Sequence, residues 1–180
     1  MKENVKEILL TKEQIDARVE EMGAQITREY ADKNVVVIVL LKGAAWFATD
    51  LTRAIDLPLR MEFMVASSYG DGTSTSGKVN VRLDLSESIE GKDVLLVDDI
   101  IDSGVTFAAI SAMLMERKPT SLKTVALCDK VERRVNGMQA DYVGFVIPDE
   151  FVVGYGLDYA GDYRNLPYIG VLDPAVYTKA

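Results

Sequence analysis

Runs of apolar residues alternate with polar breaks along this chain, and their spacing separates strands from helices. Ile8, Leu9, Ile15, Val19, Met22 and Ile26 recur with helical spacing and predict a helix over residues 5–33, with Thr11-Lys12-Glu13-Gln14 as a capping box. The polar triplet Asp32-Lys33-Asn34 ends that pattern. Residues 35–41 are wholly aliphatic, as suits a strand covered on both faces, and Lys42-Gly43 leads into a helix over 44–55. Residues 59–66 and 78–83 read as extended. The Gly-, Ser- and Thr-rich stretch SSYGDGTSTSG at 67–77 joins them and reads equally as a mobile lid or a disordered connector.

A turn at Glu90-Gly91-Lys92 precedes an apolar strand over 94–97, and Phe107, Ile110, Met113 and Leu114 predict the helix after it. Strands over 122–128 and 142–147, then an extended segment over 151–155 running into 158–164, complete the pattern. Strands and helices alternating in this order predict one α/β domain over residues 1–180. Its sheet should be mainly parallel and twisted, flanked by helices and joined by right-handed crossovers.

The densest chemistry lies in VLLVDDIIDSGVT, residues 94–106. Asp98 and Asp99 follow the apolar strand, and in open α/β sheets ligands bind at the carboxyl ends of the strands. Asp102-Ser103-Gly104-Val105-Thr106 then enters a helix; such a turn presents backbone N–H groups and the positive end of the helix dipole to an anion. Carboxylates beside an anion cradle are tolerable if they face sugar hydroxyls or a divalent cation. A phosphorylated ribose meets both demands, so the motif predicts a sugar-phosphate site.

Composition narrows the classes. With 180 residues, 48% of them hydrophobic, the chain can bury a sizeable core. The aliphatic run 35–41 is too short to cross a bilayer, and the charged start MKENVKEILL is unlike a secretory signal, so a cytoplasmic protein is expected, with no membrane partner. A net charge of −8 argues against a nucleic-acid partner. The lone Cys128 sits in an apolar run and reads as core. Histidine is absent, which excludes Ser-His-Asp and Cys-His catalysis and leaves proton transfer to Asp, Glu, Lys or Tyr.

With these residues in place, the chain resembles the purine phosphoribosyltransferases, most closely the bacterial hypoxanthine-guanine family. VLLVDDIIDSGVT resembles the phosphoribosyl-pyrophosphate motif of the type I enzymes. Leu41-Lys42-Gly43, Ser68-Tyr69-Gly70, Leu127-Cys128-Asp129-Lys130, PDEFVVGYGLDY at 148–159 and Tyr163-Arg164-Asn165-Leu166-Pro167 resemble the 6-oxopurine branch. The resemblance implies a type I phosphoribosyltransferase fold, with a small hood built from N- and C-terminal segments and a flexible loop at about 67–77. It implies purine salvage: transfer of the 5-phosphoribosyl group to hypoxanthine or guanine, with Mg2+, in a homodimer or homotetramer. A xanthine-preferring enzyme and a nucleotide-sensing regulator on the same fold are the alternatives.

The same resemblance implies roles for individual residues. Asp98 and Asp99 contact the ribose hydroxyls, residues 102–106 (Asp102, Ser103, Gly104, Val105, Thr106) bind the 5′-phosphate, and Asp102 is the acid/base. Lys42 and Gly43 match the pyrophosphate loop, where the family has a non-proline cis peptide. Ser68 and Tyr69 match the closing loop. Lys130 matches the residue that reads the exocyclic oxygen, Phe151 the stacking ring, Val152 a backbone contact to the base edge and Arg164 a pyrophosphate contact. Asp158 corresponds to a magnesium ligand, with Asp98 and Asp99 as further candidates. Two positions depart from the family pattern: Asp98 stands where Glu is frequent, and Val131 where many relatives have Pro.

Overall fold

The computed structural model of the chain describes residues 2–68 and 79–178, Ser68 through its backbone alone. Tyr69 and the rest of the expected closing loop beyond Ser68 lie outside the described residues. Strand β1 (Val5–Leu10) leads into helix α1 (Lys12–Glu29), followed by β2 (Val35–Leu40), α2 (Ala44–Ala54), β3 (Leu59–Ser68) and β4 (Val79–Leu83). Then come β5 (Asp93–Ile101), α3 (Val105–Met115), β6 (Ser121–Asp129), β7 (Tyr142–Val146), β8 (Val152–Val153), β9 (Ile169–Leu172) and a short helix α4 (Pro174–Tyr177).

Six strands form one sheet in the order β4-β3-β2-β5-β6-β7. All pair in parallel except β4, which runs antiparallel to β3. The periodicity of two assigns each strand residue to a face. Val35, Val37, Val39, Leu95 and Val97 pack toward α1 and α2 in one core, while Val36, Ile38, Leu40, Val94 and Leu96 pack toward α3 in another. Both faces of β2 are therefore buried, which explains its uninterrupted aliphatic sequence. Cys128 is fully buried, as expected for a core residue. Among the described residues no helix is long and apolar enough to cross a membrane.

Residues 5–10 correct the expected helix. They form β1, paired antiparallel with β9 in a second, three-stranded sheet of order β1-β9-β8. Ile8 and Leu9 fit the helical period, but the capping box starts the helix after Thr11, and the partner strand lies about 160 residues away, where local periodicity cannot register it. The Thr11 hydroxyl accepts from the Gln14 N–H at 3.3 Å, and the Gln14 side chain accepts from the Thr11 N–H at 2.8 Å. Thr11→Ala is expected to cost about 1 kcal/mol of stability. A lowered denaturant midpoint with an unchanged slope would show it.

Candidate active site

β2 and β5 are neighbours at the middle of the main sheet, and the chain leaves them in opposite directions, outward to β3 and to β6. This is the topological switch point at which doubly wound sheets place ligands. At the carboxyl end of β2, the Leu41–Lys42 peptide is cis, and Gly43 enters α2. A Cβ on Gly43 would collide with the Asp99 carboxylate and reach 3.3 Å from Arg164 Nη1, so glycine is what allows these two side chains to close on the loop.

β5 runs on through the acids to Ile101, past the expected end at Val97, because pairing with β6 continues through Asp98↔Ala126, Ile100↔Cys128 and Ile101↔Asp129. Consecutive strand residues point to opposite faces, so the acid pair divides between two adjoining cavities. Asp99 lines one of about 410 Å³, together with Lys42, Gly43, Asp102, Lys130, Phe151, Val152, Asp158 and Arg164. Asp98 lines the other, of about 240 Å³, with Ser103, Gly104 and Thr106. Ile100 and Asp102 border both. The phosphate-type loop thus lies on one side of Asp102 and the expected base and pyrophosphate contacts on the other.

Gly104 caps α3 in the left-handed region at φ 80°, and the Ser103 hydroxyl is 3.4 Å from the Val105 N–H. Asp102 does not cap the helix. Its side chain pairs instead with Arg133, and its backbone carbonyl accepts from Arg134 at 3.1 Å. Arg134 is itself held by an ion pair to the buried Asp129. Val135 N–H donates to the Ser103 carbonyl at 3.2 Å, so the segment after β6 braces the phosphate-type loop.

Asp98 accepts from the Asp99 N–H at 2.9 Å, and Asp99 from the Ile100 N–H at 2.8 Å. Burial pushes the Asp98 carboxyl well above the ordinary range, and the charge of Asp99 adds to it. Burial also pushes Asp99 up, opposed by its hydrogen bonds and by the Arg164 guanidinium. The folded chain therefore holds a proton on this pair at a pH where the unfolded chain has lost it. Stability of the ligand-free protein falls as pH rises from the ordinary carboxylate range toward the raised folded value. Asp98→Asn keeps an acceptor for the Asp99 N–H and is expected to stabilise the ligand-free chain at neutral pH by about 1 to 2 kcal/mol, while weakening nucleotide binding. Denaturant midpoints taken from acid to neutral pH, with product titrations, check both effects.

Lys130, only 6% exposed, has as its nearest carboxylate oxygen Asp149 Oδ1, at 3.9 Å. Arg164 pairs with Asp158 at 2.6 Å, donates to the Gly156 carbonyl and lines the cavity. The Phe151 ring stacks on Tyr177 at 5.1 Å and meets the edge of Tyr159 at 5.7 Å. Arg133, Asp149 and Tyr177 were not legible as site residues. Glu132-Arg133-Arg134 reads as a solvated charge run, and the one local signal for α4 was Asp173-Pro174, an N-cap followed by an N1 proline.

The donor set around Asp158, Asp98 and Asp99 is carboxylate oxygen, the kind that suits magnesium over transition metals. Among the described residues no three such groups approach closely enough to cage a cation.

The family described as phosphoribosyl transferase domain matches residues 6–160. The hypoxanthine-guanine phosphoribosyltransferase of Bacillus subtilis is 50% identical over 177 residues, covering 98% of each chain. The bifunctional protein TilS/HprT of Listeria innocua is 48% identical over 179 residues, and there the match spans 99% of this chain but 28% of the relative's length. A crystal structure of a hypoxanthine phosphoribosyltransferase from Staphylococcus aureus superposes with a TM-score of 0.95 at 50% identity, covering 99% of this chain and 97% of that one. Matching in sequence across nearly its whole length and in three dimensions, the chain belongs to the phosphoribosyltransferase family, in its hypoxanthine-guanine branch.

Proposed function

We propose that this chain transfers the 5-phosphoribosyl group of phosphoribosyl pyrophosphate to hypoxanthine and guanine, releasing pyrophosphate and giving inosine or guanosine monophosphate. The observation that carries the reading is Asp102 on the border of two cavities, with an amide-rich loop on one side and a buried ammonium, an aromatic ring and an arginine on the other. A phosphoribosyl purine has this layout, with phosphate at one end and a flat, oxygen-bearing base at the other.

In this reading the 5′-phosphate sits on residues 102–106 at the start of α3, where first-turn amides lack acceptors in the helix. Asp98 and Asp99 hold the ribose hydroxyls from either side, and one proton shared by the pair is given up when hydroxyl donors arrive. Lys42, Gly43 and Arg164 receive the pyrophosphate. Phe151 stacks on the base, Val152 meets its edge through the backbone, and Lys130 donates to the 6-oxygen. Ser68 and Tyr69 close over the reacting carbon and exclude water.

As pyrophosphate leaves with the C1′–O electron pair, a ring nitrogen of the purine forms the new bond to C1′ and the ring N–H proton passes to Asp102. Asp158, with Asp98 or Asp99, would hold magnesium, which would neutralise charge on the leaving group. The protein works in the cytoplasm as a homodimer or homotetramer, which light scattering tests. The deciding assay is product formation from phosphoribosyl pyrophosphate with hypoxanthine, guanine, xanthine and adenine, with an RNA gel shift as control. Expected are turnover with the first two, little with adenine, loss on chelation of magnesium, and no RNA complex. Preference for xanthine, or RNA binding without turnover, overturns the reading.

A further inference from the structure

We propose that Arg133 is a positioning residue for proton transfer, fixing the Asp102 carboxylate so that one oxygen is presented to the purine. This rests on the transferase reading above. Arg133 ends the 3-10 turn Val131–Arg133, three residues after Lys130, and its side chain crosses the cavity mouth to Asp102. Its Nη1 donates to Asp102 Oδ2 at 3.2 Å. Its Nε lies 3.2 Å from Oδ1, but Oδ1 accepts no hydrogen bond among the described residues and is shielded from solvent. The two oxygens are thus unequal. Oδ1 lies closed off against the guanidinium, so the exposure of this half-exposed side chain falls on Oδ2, which accepts from Nη1 and faces the cavity that the base would occupy.

Gly104, not Asp102, caps α3, and Arg134 holds only the Asp102 backbone carbonyl. Successive arginines thereby divide the work between the main chain and the side chain of one residue. Asp149 Oδ1 lies 3.5 Å from Arg133 Nε and 3.9 Å from Lys130 Nζ, so it ties the arginine that aims the proton acceptor to the lysine that faces the base oxygen. The geometry links proton acceptance and base reading through a chain of four charged side chains: Asp102, Arg133, Asp149 and Lys130.

In the step itself, the ring N–H bond of the purine breaks and its proton forms an O–H bond with Asp102 Oδ2. The ring nitrogen's electron pair forms N–C1′, and the C1′–O pair leaves with pyrophosphate. Arg133 holds the carboxylate that takes the proton and has no part in the bonds that form and break. Its removal should leave substrate binding in place and slow the step by letting the carboxylate rotate.

The test measures single-turnover product formation, which product release does not mask. Arg133→Ala is expected to slow it about 10- to 100-fold, the scale of a misplaced catalytic group, with Michaelis constants for both substrates within about threefold. Arg133→Lys should recover part of the loss, and guanidinium ion at millimolar concentration should restore part of the Arg133→Ala rate, since this side chain is half exposed. In an Asp102→Asn background, Arg133→Ala should change the rate by less than about twofold, because the residues act as one unit. An unaltered rate in Arg133→Ala, the same fold-loss in both backgrounds, or a loss confined to substrate affinity overturns the proposal. If the unsubstituted protein forms no nucleotide, the transferase reading fails first and takes this proposal with it.

Discussion

Asp102→Asn is expected to slow single-turnover nucleotide formation by about 10²- to 10⁴-fold, the range for losing a general base. Affinity for phosphoribosyl pyrophosphate should change little. The chain contains no histidine, so few groups can take a purine proton, and among the described residues Asp102 alone of the carboxylates borders both the phosphate-type loop and the cavity proposed for the base. Its Oδ1 is shielded against Arg133, which leaves Oδ2 as the oxygen facing the cavity. Asparagine is nearly isosteric and still accepts from Arg133 Nη1, but its amide cannot take up a proton at neutral pH. A lower rate with phosphoribosyl pyrophosphate binding intact, measured by isothermal titration, assigns the role. A surviving rate would move proton transfer to another group.

Lys130→Ala is expected to lower kcat/KM with hypoxanthine about 10- to 100-fold, matching the loss of a charge-assisted hydrogen bond of about 1.5 to 3 kcal/mol. An ammonium group almost closed off from water carries a desolvation penalty, which a single carboxylate at 3.9 Å offsets only in part. An oxygen acceptor on the base completes it, whereas adenine's amino group offers another donor. The loss should therefore fall on 6-oxopurines and leave binding of phosphoribosyl pyrophosphate near its original value. Kinetics with hypoxanthine and guanine, alongside pyrophosphate-donor titrations, check this. Equal efficiency in the variant would remove Lys130 from base recognition.

Much of the main sheet could be read from one dimension because its strands are buried on both faces. Residues 35–41 and 94–97 have no polar side to hide, and Thr11 with Gln14 announces the start of α1 in four residues. The phosphate-type loop was equally legible, since a strand, a glycine turn and a helix start are consecutive in sequence. The second sheet was not. Local spacing runs β1 into the helix and gives no strand at β9 and no helix at α4, because β1 and β9 pair across almost the full chain and their residues carry no diagnostic local period. The continuation of β5 to Ile101 was hidden for the same reason: its partner, β6, supplies the ladder.

The sequence by itself determined which groups are available: three aspartates beside an anion-binding turn, a lysine after an apolar strand, and no histidine. The type of chemistry follows from that inventory, because side-chain identity sets charge and hydrogen-bonding capacity wherever the residue lies. Only the tertiary structure decided which groups meet. Pairing along β5 turns Asp98 and Asp99 toward different cavities, glycine at position 43 lets Asp99 and Arg164 approach, and the turn after β6 carries Arg133 across to Asp102. Those encounters join residues 28 or more positions apart. They depend on packing and long-range hydrogen bonds, which no short stretch of sequence encodes alone.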